Sequence, residues 1–487
     1  MSKPQGESAR AAFSELLEPG SPVLVLAERF RAASQELFLV GGTVRDAFLG
    51  RHHEDLDFAT DAAPERTLEL VQPEAEATWL QGMKFGTVGA RISGLHMEIT
   101  TFRTETYGPE SRHPEVAFAP TIDSDLSRRD FTVNAMALRL PEREAVDPFG
   151  GLKDLDARLL RTPIEPSASF TDDPLRMLRA FRFASQLDFK VHDDVLAAIS
   201  ELRAALATVS AERIRDEFTR LIMGGKPGHA LQLADRTGIA ELFLPELSAL
   251  KLEQDPVHQH KDVFLHTLAV VERTTQDDEE LRLAALLHDI GKPKTRRIEP
   301  GGVTFHHHEV VGAEMAKKRL RALRFPNETV LAVTELIRLH HRFHTYRLGW
   351  TDSAIRRYVR DAGPLLGKLN DLVRADCTTQ NPAKARELAR RIDELEERIR
   401  LLAEQEELAR IRPELDGVQV MAYIGQEPGP VVGEALRYLL EVRLDEGILG
   451  EDVAYLRLDA WARDRGLDPP SLRVPPKEEK SDEPTGP

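Results

Sequence analysis

The spacing of apolar and polar positions changes period several times in the first 160 residues, and each change predicts an element. Residues 23–33 repeat apolar side chains at helical intervals and predict the first helix. Leu37-Phe38-Leu39-Val40 is an unbroken apolar run that stops at Gly41-Gly42, the pattern of a buried strand feeding a tight turn. Helical spacing returns over 44–49 and ends at Gly50. Asp55-Leu56-Asp57-Phe58-Ala59 alternates with period two, so Leu56 and Phe58 face a core while Asp55 and Asp57 project together from the other side. Residues 64–71 predict a helix with Pro64 in its first turn, and 85–92 with 94–102 predict a β-hairpin. Residues 103–120 are polar, carry Pro and Gly, and read as a mobile loop.

Beyond residue 163 the patterns are helical. Residues 172–180 predict a helix opened by Asp172-Asp173-Pro174, and 212–224 and 231–247 are amphipathic. Residues 383–408 are charge-laced at helical spacing, the signature of a long solvated helix. Residues 418–433 and the helix to 447 close the ordered part. Residues 1–22 read as a loose leader and 474–487, rich in Pro and charge, as disordered. No internal repeat is visible.

Composition narrows the class without naming it. A chain of 487 residues has room for three or more domains. A single cysteine, Cys377, excludes a disulfide framework and fits a reducing cytoplasm. No apolar run approaches the ~20 residues of a membrane span, and the first residues lack a signal peptide's apolar core. The net charge of −16 argues against a protein that coats nucleic acid indiscriminately, but leaves room for a local basic groove.

Candidate chemistry begins at the Gly41-Gly42 step, whose bare backbone N–H groups can close on phosphate oxygens. Asp55 and Asp57, side by side, repel unless a cation such as Mg²⁺ sits between them. A lone pair of this kind is more often a solvated strand end; the ordered succession of strand, Gly-Gly, helix and D-x-D is far more specific. Glu98 lies between Met97 and Ile99 and is either an edge residue facing water or a third carboxylate beside the pair. Arg128-Arg129 can neutralise a triphosphate or simply decorate a surface, while Asp130 and Asn134 offer groups to ribose hydroxyls. Asp173 and Arg176, spaced i,i+3, share one face of the predicted helix and offer an acceptor and a donor side by side. The plainer reading of the acidic pair is a helix cap. Ten of the 16 histidines fall between His258 and His344, a concentration that points to metal chemistry.

Taken together these motifs, with Arg128-Arg129-Asp130-Phe131-Thr132-Val133-Asn134-Ala135 matching an RRDFTxNA pattern, resemble the tRNA nucleotidyltransferase (CCA-adding enzyme) and poly(A) polymerase family of the DNA polymerase β superfamily. The resemblance runs over about residues 23–465. It implies an α+β fold: a polymerase β-like head with a small mixed sheet and helices, followed by all-α neck, HD and body or tail regions. The corresponding domains are residues 23–162, 163–250, 251–382 and 383–473, with 474–487 as tail. It implies Asp55, Asp57 and Glu98 as catalytic, with Mg²⁺ on the two aspartates. Nucleotide-binding roles fall to Gly41, Gly42, Arg45, Arg128, Arg129, Asp130, Asn134, Asp172, Asp173, Arg176 and Arg179. Asp172 stands where the family usually carries Glu, which shortens one arm and keeps its acceptor. The turn motif from Asp147 to Asp154 is expected to support the head.

The later series His266, His288-Asp289, His308, His340 and Asp376 matches the order of HD-domain phosphohydrolases, and implies a divalent transition metal (Mn²⁺, Ni²⁺, Co²⁺ or Fe) on His266, His288, Asp289 and Asp376, with His308 and His340 adding a second. Gly291-Lys292-Pro293 predicts a helix stop and a substrate-facing lysine. This chain has His307 where the family carries Gly, so the ligands among 306–308 and 340–341 stay open. The expected activity is template-independent addition or repair of the 3′-terminal CCA of tRNA, or of CC or A alone, from CTP and ATP. If only part is added, a partner nucleotidyltransferase completes the end. A poly(A) polymerase is the nearest alternative, but those relatives usually carry a basic C-terminal extension and no intact HD set. An HD phosphohydrolase with a nucleotide-sensing head would predict a damaged D-x-D or RRDFTxNA, and both are intact.

Overall fold

The run Leu37–Val40 (β1) is buried along its whole length because it lies inside a sheet. On one side it pairs antiparallel with Asp55–Thr60 (β2), on the other with a later strand, Ala137–Leu140. Ala77–Trp79 (β3), Thr87–Ile92 (β4) and Leu95–Thr101 (β5) extend the sheet past β2; Arg103–Thr106 (β6) and Glu115–Phe118 (β7) form a separate ribbon; Ala137–Leu140 (β8) and Glu144–Val146 (β9) complete the far edge. The order is β3-β4-β5-β2-β1-β8-β9, with β2 and β5 parallel and the other pairs antiparallel. Alternation along β2 follows the sequence pattern: Leu56 and Phe58 are buried while Asp55 and Asp57 are exposed. Behind the sheet Phe38, Val40, Ala59, Phe102, Leu126 and Ala137 form a core cluster.

This computed structural model describes residues 13, 16–51, 55–106, 115–252, 262–300, 302–377, 382–406 and 411–467. Most of the expected leader, the tip of the expected 103–120 loop and the expected disordered tail lie outside them. The chain divides into two units: Met1–Leu286 with Arg296–Thr304 and Lys318–Val330, and Leu287–Thr295 with Phe305–Lys317 and Leu331–Pro487.

In the first unit the helices Pro22–Ala32 and Pro64–Val71 form as the pattern predicts, the former capped by the Ser21 hydroxyl accepting from the Leu24 N–H at 3.3 Å. Several details differ. Gly41 and Gly42 open the helix Gly41–Phe48 directly instead of forming a separate turn. The segment 103–120 is not all loop, since β6 and β7 pair at its base. Asp172 ends a helix, Pro166–Asp172, where one was expected to begin; the next runs Arg176–Leu187. The cause is Pro174, whose ring pushes the preceding residue out of the helical region, so Asp173 is extended (φ −139°, ψ 101°). The expected helix 231–247 is three pieces, Pro227–Arg236, Ala240–Phe243 and Pro245–Ser248, interrupted at Gly238 and Pro245. The part expected to be all-α also holds strands: Lys190–Val191, paired with Leu159–Leu160 of the expected head, and the ribbon Arg297–Glu299 with Gly302–Thr304.

The second unit is helical. Gly417–Ile424, Pro430–Glu446 and Glu451–Asp464 pack around Val420, Leu439, Leu458 and Trp461. Asp416 and Gln419 form a reciprocal cap at the start of the first. The charge-laced helix Pro382–Glu406 is solvated on one side, where pairs such as Arg400–Glu397 and Arg390–Glu387 add only ~0.2–0.5 kcal/mol each. No helix among the described residues is long and apolar enough to cross a membrane.

Arg282 joins several chain segments of the first unit. Its side chain is 1% exposed and donates to the carbonyls of Ile222, Gly224, Thr274 and Thr275. Arg282→Met keeps the bulk and strands these acceptors. The first unit should lose on the order of 3 kcal/mol, because each unsatisfied buried group costs ~1–3 kcal/mol. A denaturant curve that superimposes on that of the wild type would show that water replaces the guanidinium.

Candidate functional site

Register places the carboxylates. β2 and β5 run parallel with Asp57 opposite Glu98 and Asp55 opposite His96, so Asp55, Asp57 and Glu98 share one face of the sheet. The Asp57 N–H donates to Thr43 Oγ1 at 3.1 Å, which ties the strand to the helix Gly41–Phe48. Burial first, then the charges of Asp57 and Asp55, raise the Glu98 pKa above its ordinary value. Three acidic groups crowded on one face give an all-oxygen donor set of the kind hard divalent cations take.

A cleft of about 780 Å³ opens beside them, lined by eight arginines and four carboxylates. In a chain of net charge −16 this excess of positive charge is local, and it suits a polyanion. Gly41, at φ +69°, stands at its floor; a Cβ there would come within 2.7 Å of an Arg129 guanidinium nitrogen. Only glycine lets the guanidinium lie on the backbone. Arg128 and Arg129 both pair with buried Asp125, at 2.7 and 3.1 Å. Burial opposes ionisation of Asp125, yet Arg129 and Arg128 hold its pKa below the ordinary value.

Along the cleft wall runs a continuous polar chain. Arg45, 8% exposed, donates to Asp46 (2.9 and 2.5 Å) and to Asn134 Oδ1 (2.6 Å). Asn134 Nδ2 donates to Asp130 Oδ1 at 2.8 Å, and Arg179 donates to Asp130 Oδ2 at 2.7 Å. Arg179 and Arg182 then share Glu217, at 4.0 and 3.1 Å. Burial alone would raise the Asp130 pKa, but Arg179 and the Asn134 amide hold it far below the ordinary range. Burial and the neighbouring Arg179 bring Arg182 down to about 10. Arg182, Glu217, Asp125 and Phe183 are members of the site that the sequence reading missed. The arginines had a signal, since Arg176, Arg179 and Arg182 recur every three residues; Glu217 had none, being 35 residues from its partner.

Asp173 and Arg176 both line the cleft, although not as an i,i+3 pair on one helix. Asp173 accepts from the Leu175 N–H at 3.1 Å and from Arg213 at 3.2 Å. Arg176 donates to Ser169 Oγ (3.0 Å) and to the Arg128 carbonyl (2.6 Å), which orients its guanidinium. Asp172 is not part of the cleft lining. Asp147 accepts from the Gly151 and Leu152 N–H groups, and Asp154 accepts from Thr132 Oγ1, the supporting contacts expected of that turn.

A second cluster lies in the other unit. Asp289, His308 and His340 place three candidate ligand atoms within 4.8 Å of one another. His308 Nε2 is 3.3 Å from His340 Nε2 and 3.5 Å from Asp289 Oδ1. His288 Nε2 lies 3.2 Å from Asp289 and 3.6 Å from Asp376. The other nitrogens, His308 Nδ1 and His340 Nδ1, sit 2.9 and 2.6 Å from the carbonyls of Phe305 and Ile337. Nδ1–H donation there leaves both Nε2 lone pairs facing each other, an arrangement that a cation relieves. Burial, then the charge of His288, lowers the His340 pKa to about 3, while burial lowers His308. For His288 burial is outweighed by Asp289, which raises it to about 10. His306, His307 and His341 are exposed and outside this group. Lys292 does not stand free for substrate but pairs with Asp289 at 2.6 Å. His266 belongs to the first unit, buried on the helix Val263–Arg273.

Comparison with known proteins covers most of the chain. Residues 37–161 match the "Poly A polymerase head domain", 188–251 the "Probable RNA and SrmB- binding site of polymerase A", and 260–399 the "HD domain". The A-adding tRNA nucleotidyltransferase of Deinococcus radiodurans is 36% identical over 417 residues, 83% of this chain and 91% of that one. The CC-adding tRNA nucleotidyltransferase of Thermus thermophilus is 34% identical over 440 residues, 88% and 94% of the two. The CCA-adding enzyme of Lactobacillus gasseri, 40% identical over 232 residues, aligns over 47% of this chain and 56% of its own length. A crystal structure of the Bacillus stearothermophilus CCA-adding enzyme with CTP superimposes with a TM-score of 0.66 at 25% identity, over 96% of this chain and 99% of that one.

The depressed Asp130 carboxyl has a pH consequence. Its pairings stabilise the fold above the ordinary aspartate value of 3.8, and that contribution is lost as pH falls below it. Asp130→Asn should therefore cost stability at neutral pH, with the gap from wild type shrinking below about pH 4. A gap that stays constant down to about pH 2 would contradict the assignment.

Proposed function

The chain belongs to the tRNA nucleotidyltransferase and poly(A) polymerase family, and on that premise we propose that it adds or repairs the CCA end of tRNA without a template, using CTP and ATP. The observation that carries the reading is the shared face of Asp55, Asp57 and Glu98 at the rim of an arginine-lined cleft. Asp55 and Asp57 hold Mg²⁺, whose all-oxygen preference they fit. An ion held there would lower the pKa of the RNA 3′-hydroxyl and offset charge on the α-phosphate and the departing pyrophosphate. The Gly41-Gly42 backbone, Arg128 and Arg129 receive the triphosphate. Asp130, Asn134 and Arg45 position the ribose. Asp173 and Arg176 read the base edge: a carboxylate accepts the amine that C and A present, and G and U lack that amine. Side chains thus stand in for a template strand.

Relatives with A-adding and CC-adding names align over nearly all of the chain. Where this protein adds only part of the end, a partner nucleotidyltransferase supplies the rest. We assign residues 23–162 to catalysis, 163–250 to the neck, 251–382 to the HD region and 383–473 to the tRNA-binding body, in a cytoplasmic enzyme.

A second activity is carried by the Asp289, His308 and His340 cluster. We propose that these residues, with His288 and Asp376, hold Mn²⁺, Ni²⁺, Co²⁺ or Fe and hydrolyse RNA-end or nucleotide phosphates, such as 2′,3′-cyclic phosphates or phosphomonoesters. Imidazole nitrogen favours those metals over Mg²⁺.

Asp55→Ala or Asp57→Ala should lower nucleotide addition at least ~10²-fold, while metal-dependent hydrolysis persists. The double substitution His288→Ala, Asp289→Ala should do the reverse. Near-normal addition by Asp57→Ala would remove the metal assignment, and loss of both activities in the folded double variant would join the two sites into one.

A further inference from the structure

The carboxylates also border a second cavity of about 1210 Å³, which meets the triphosphate cleft at Asp57 and Glu98. Following the row at the level of Asp57 across the sheet explains its shape. Asp57 is opposite Glu98, Glu98 is opposite Gly89, and Gly89 is opposite Trp79. Four strands thus present, on one face, two carboxylates, a position with no side chain, and an indole. The indole lies down over the bare position: a Cβ on Gly89 would stand 3.2 Å from its Cε3. Trp79 stacks on His96, the residue opposite Asp55, with ring centroids 5.4 Å apart and planes 11° from parallel. Trp79 is nevertheless 38% exposed, toward the cavity that Asp55, Asp57 and Glu98 share.

We propose that the Trp79–His96 pair is the platform on which the terminal base of the RNA acceptor stacks, so that its 3′-hydroxyl is held at the carboxylates. This rests on the nucleotidyltransferase reading above. Three features select this occupant. The triphosphate cleft has its own arginines, so the incoming nucleotide is accommodated elsewhere. Asp57 and Glu98 belong to both cavities, as the junction of donor and acceptor must. Arg103 and Arg220 also line both, placing positive charge where an RNA backbone passes.

The chemistry fits the task. The acceptor base is the tRNA's own last base at the first addition and C at the next two, so the acceptor subsite must tolerate more than one base. An aromatic face does so, because every base has a π-surface, whereas hydrogen-bond readout would discriminate. Selectivity then resides in the cleft and tolerance on the platform. Trp79 and His96 are positioning residues.

The test is steady-state addition to a tRNA transcript ending before CCA. Trp79→Ala should raise KM for the RNA about tenfold or more, as loss of base stacking does, and leave KM for CTP and ATP unchanged. Trp79→Phe, which keeps a π-face, should recover most of the loss. A reading free of turnover uses an RNA with 2-aminopurine as its terminal base, bound to Asp57→Ala protein. Its fluorescence should be quenched, and relieved of quenching when Trp79→Ala is added. An unchanged KM for RNA, a rise in nucleotide KM instead, or equal damage from the Ala and Phe variants would each overturn the platform. If the wild type adds no nucleotide, the functional reading fails, and the fluorescence measurement still decides the platform.

Discussion

The largely buried chain Asp46–Arg45–Asn134–Asp130–Arg179–Glu217–Arg182, in which only Arg179 is partly exposed, is the interaction on which the nucleotide cleft depends. Charges taken out of water are tolerated only when each is met, so every member fixes the rotamer of the next. The result joins four stretches: the helix Gly41–Phe48, the Arg128–Ala135 motif and the two helices Arg176–Leu187 and Ala211–Ile222. Such a chain adds little net stability over a well-packed apolar alternative. What it supplies is a rigid row of guanidinium groups along the cleft wall, with no reorganisation left for the moment of reaction.

The two proposed sites solve the same electrostatic problem with different atoms. In the head, carboxylates crowd on one sheet face and call for a hard cation. In the second unit, backbone carbonyls occupy one nitrogen of His308 and His340 and leave the other two facing each other, that of His308 also 3.5 Å from Asp289. There the donors are softer and the cluster is buried, so its metal preference and its chemistry should differ.

The strand Asp55–Thr60 was legible because one-sided burial writes itself as strict alternation. The helix Pro64–Val71 was legible because proline at its start and apolar spacing agree. The break at Asp173 was misread although its cause was visible: Pro174 forbids a helical conformation just before it, and the acidic pair looked like a cap. The choice of His308 over His306 and His307 was not legible, because three adjacent histidines differ only in which one turns inward. Glu217 and the Trp79–Gly89–Glu98 row are products of pairing between distant segments, for which local periodicity holds no signal.

The most direct test of a protein-side-chain template is to offer the purified protein a tRNA transcript ending before CCA, with each nucleoside triphosphate alone and in combination, and to sequence the extended ends. The account predicts addition of C, of A, or of both in the order CCA, stopping there, with G and U excluded. Incorporation of all four nucleotides, or an open-ended run of A, would contradict it.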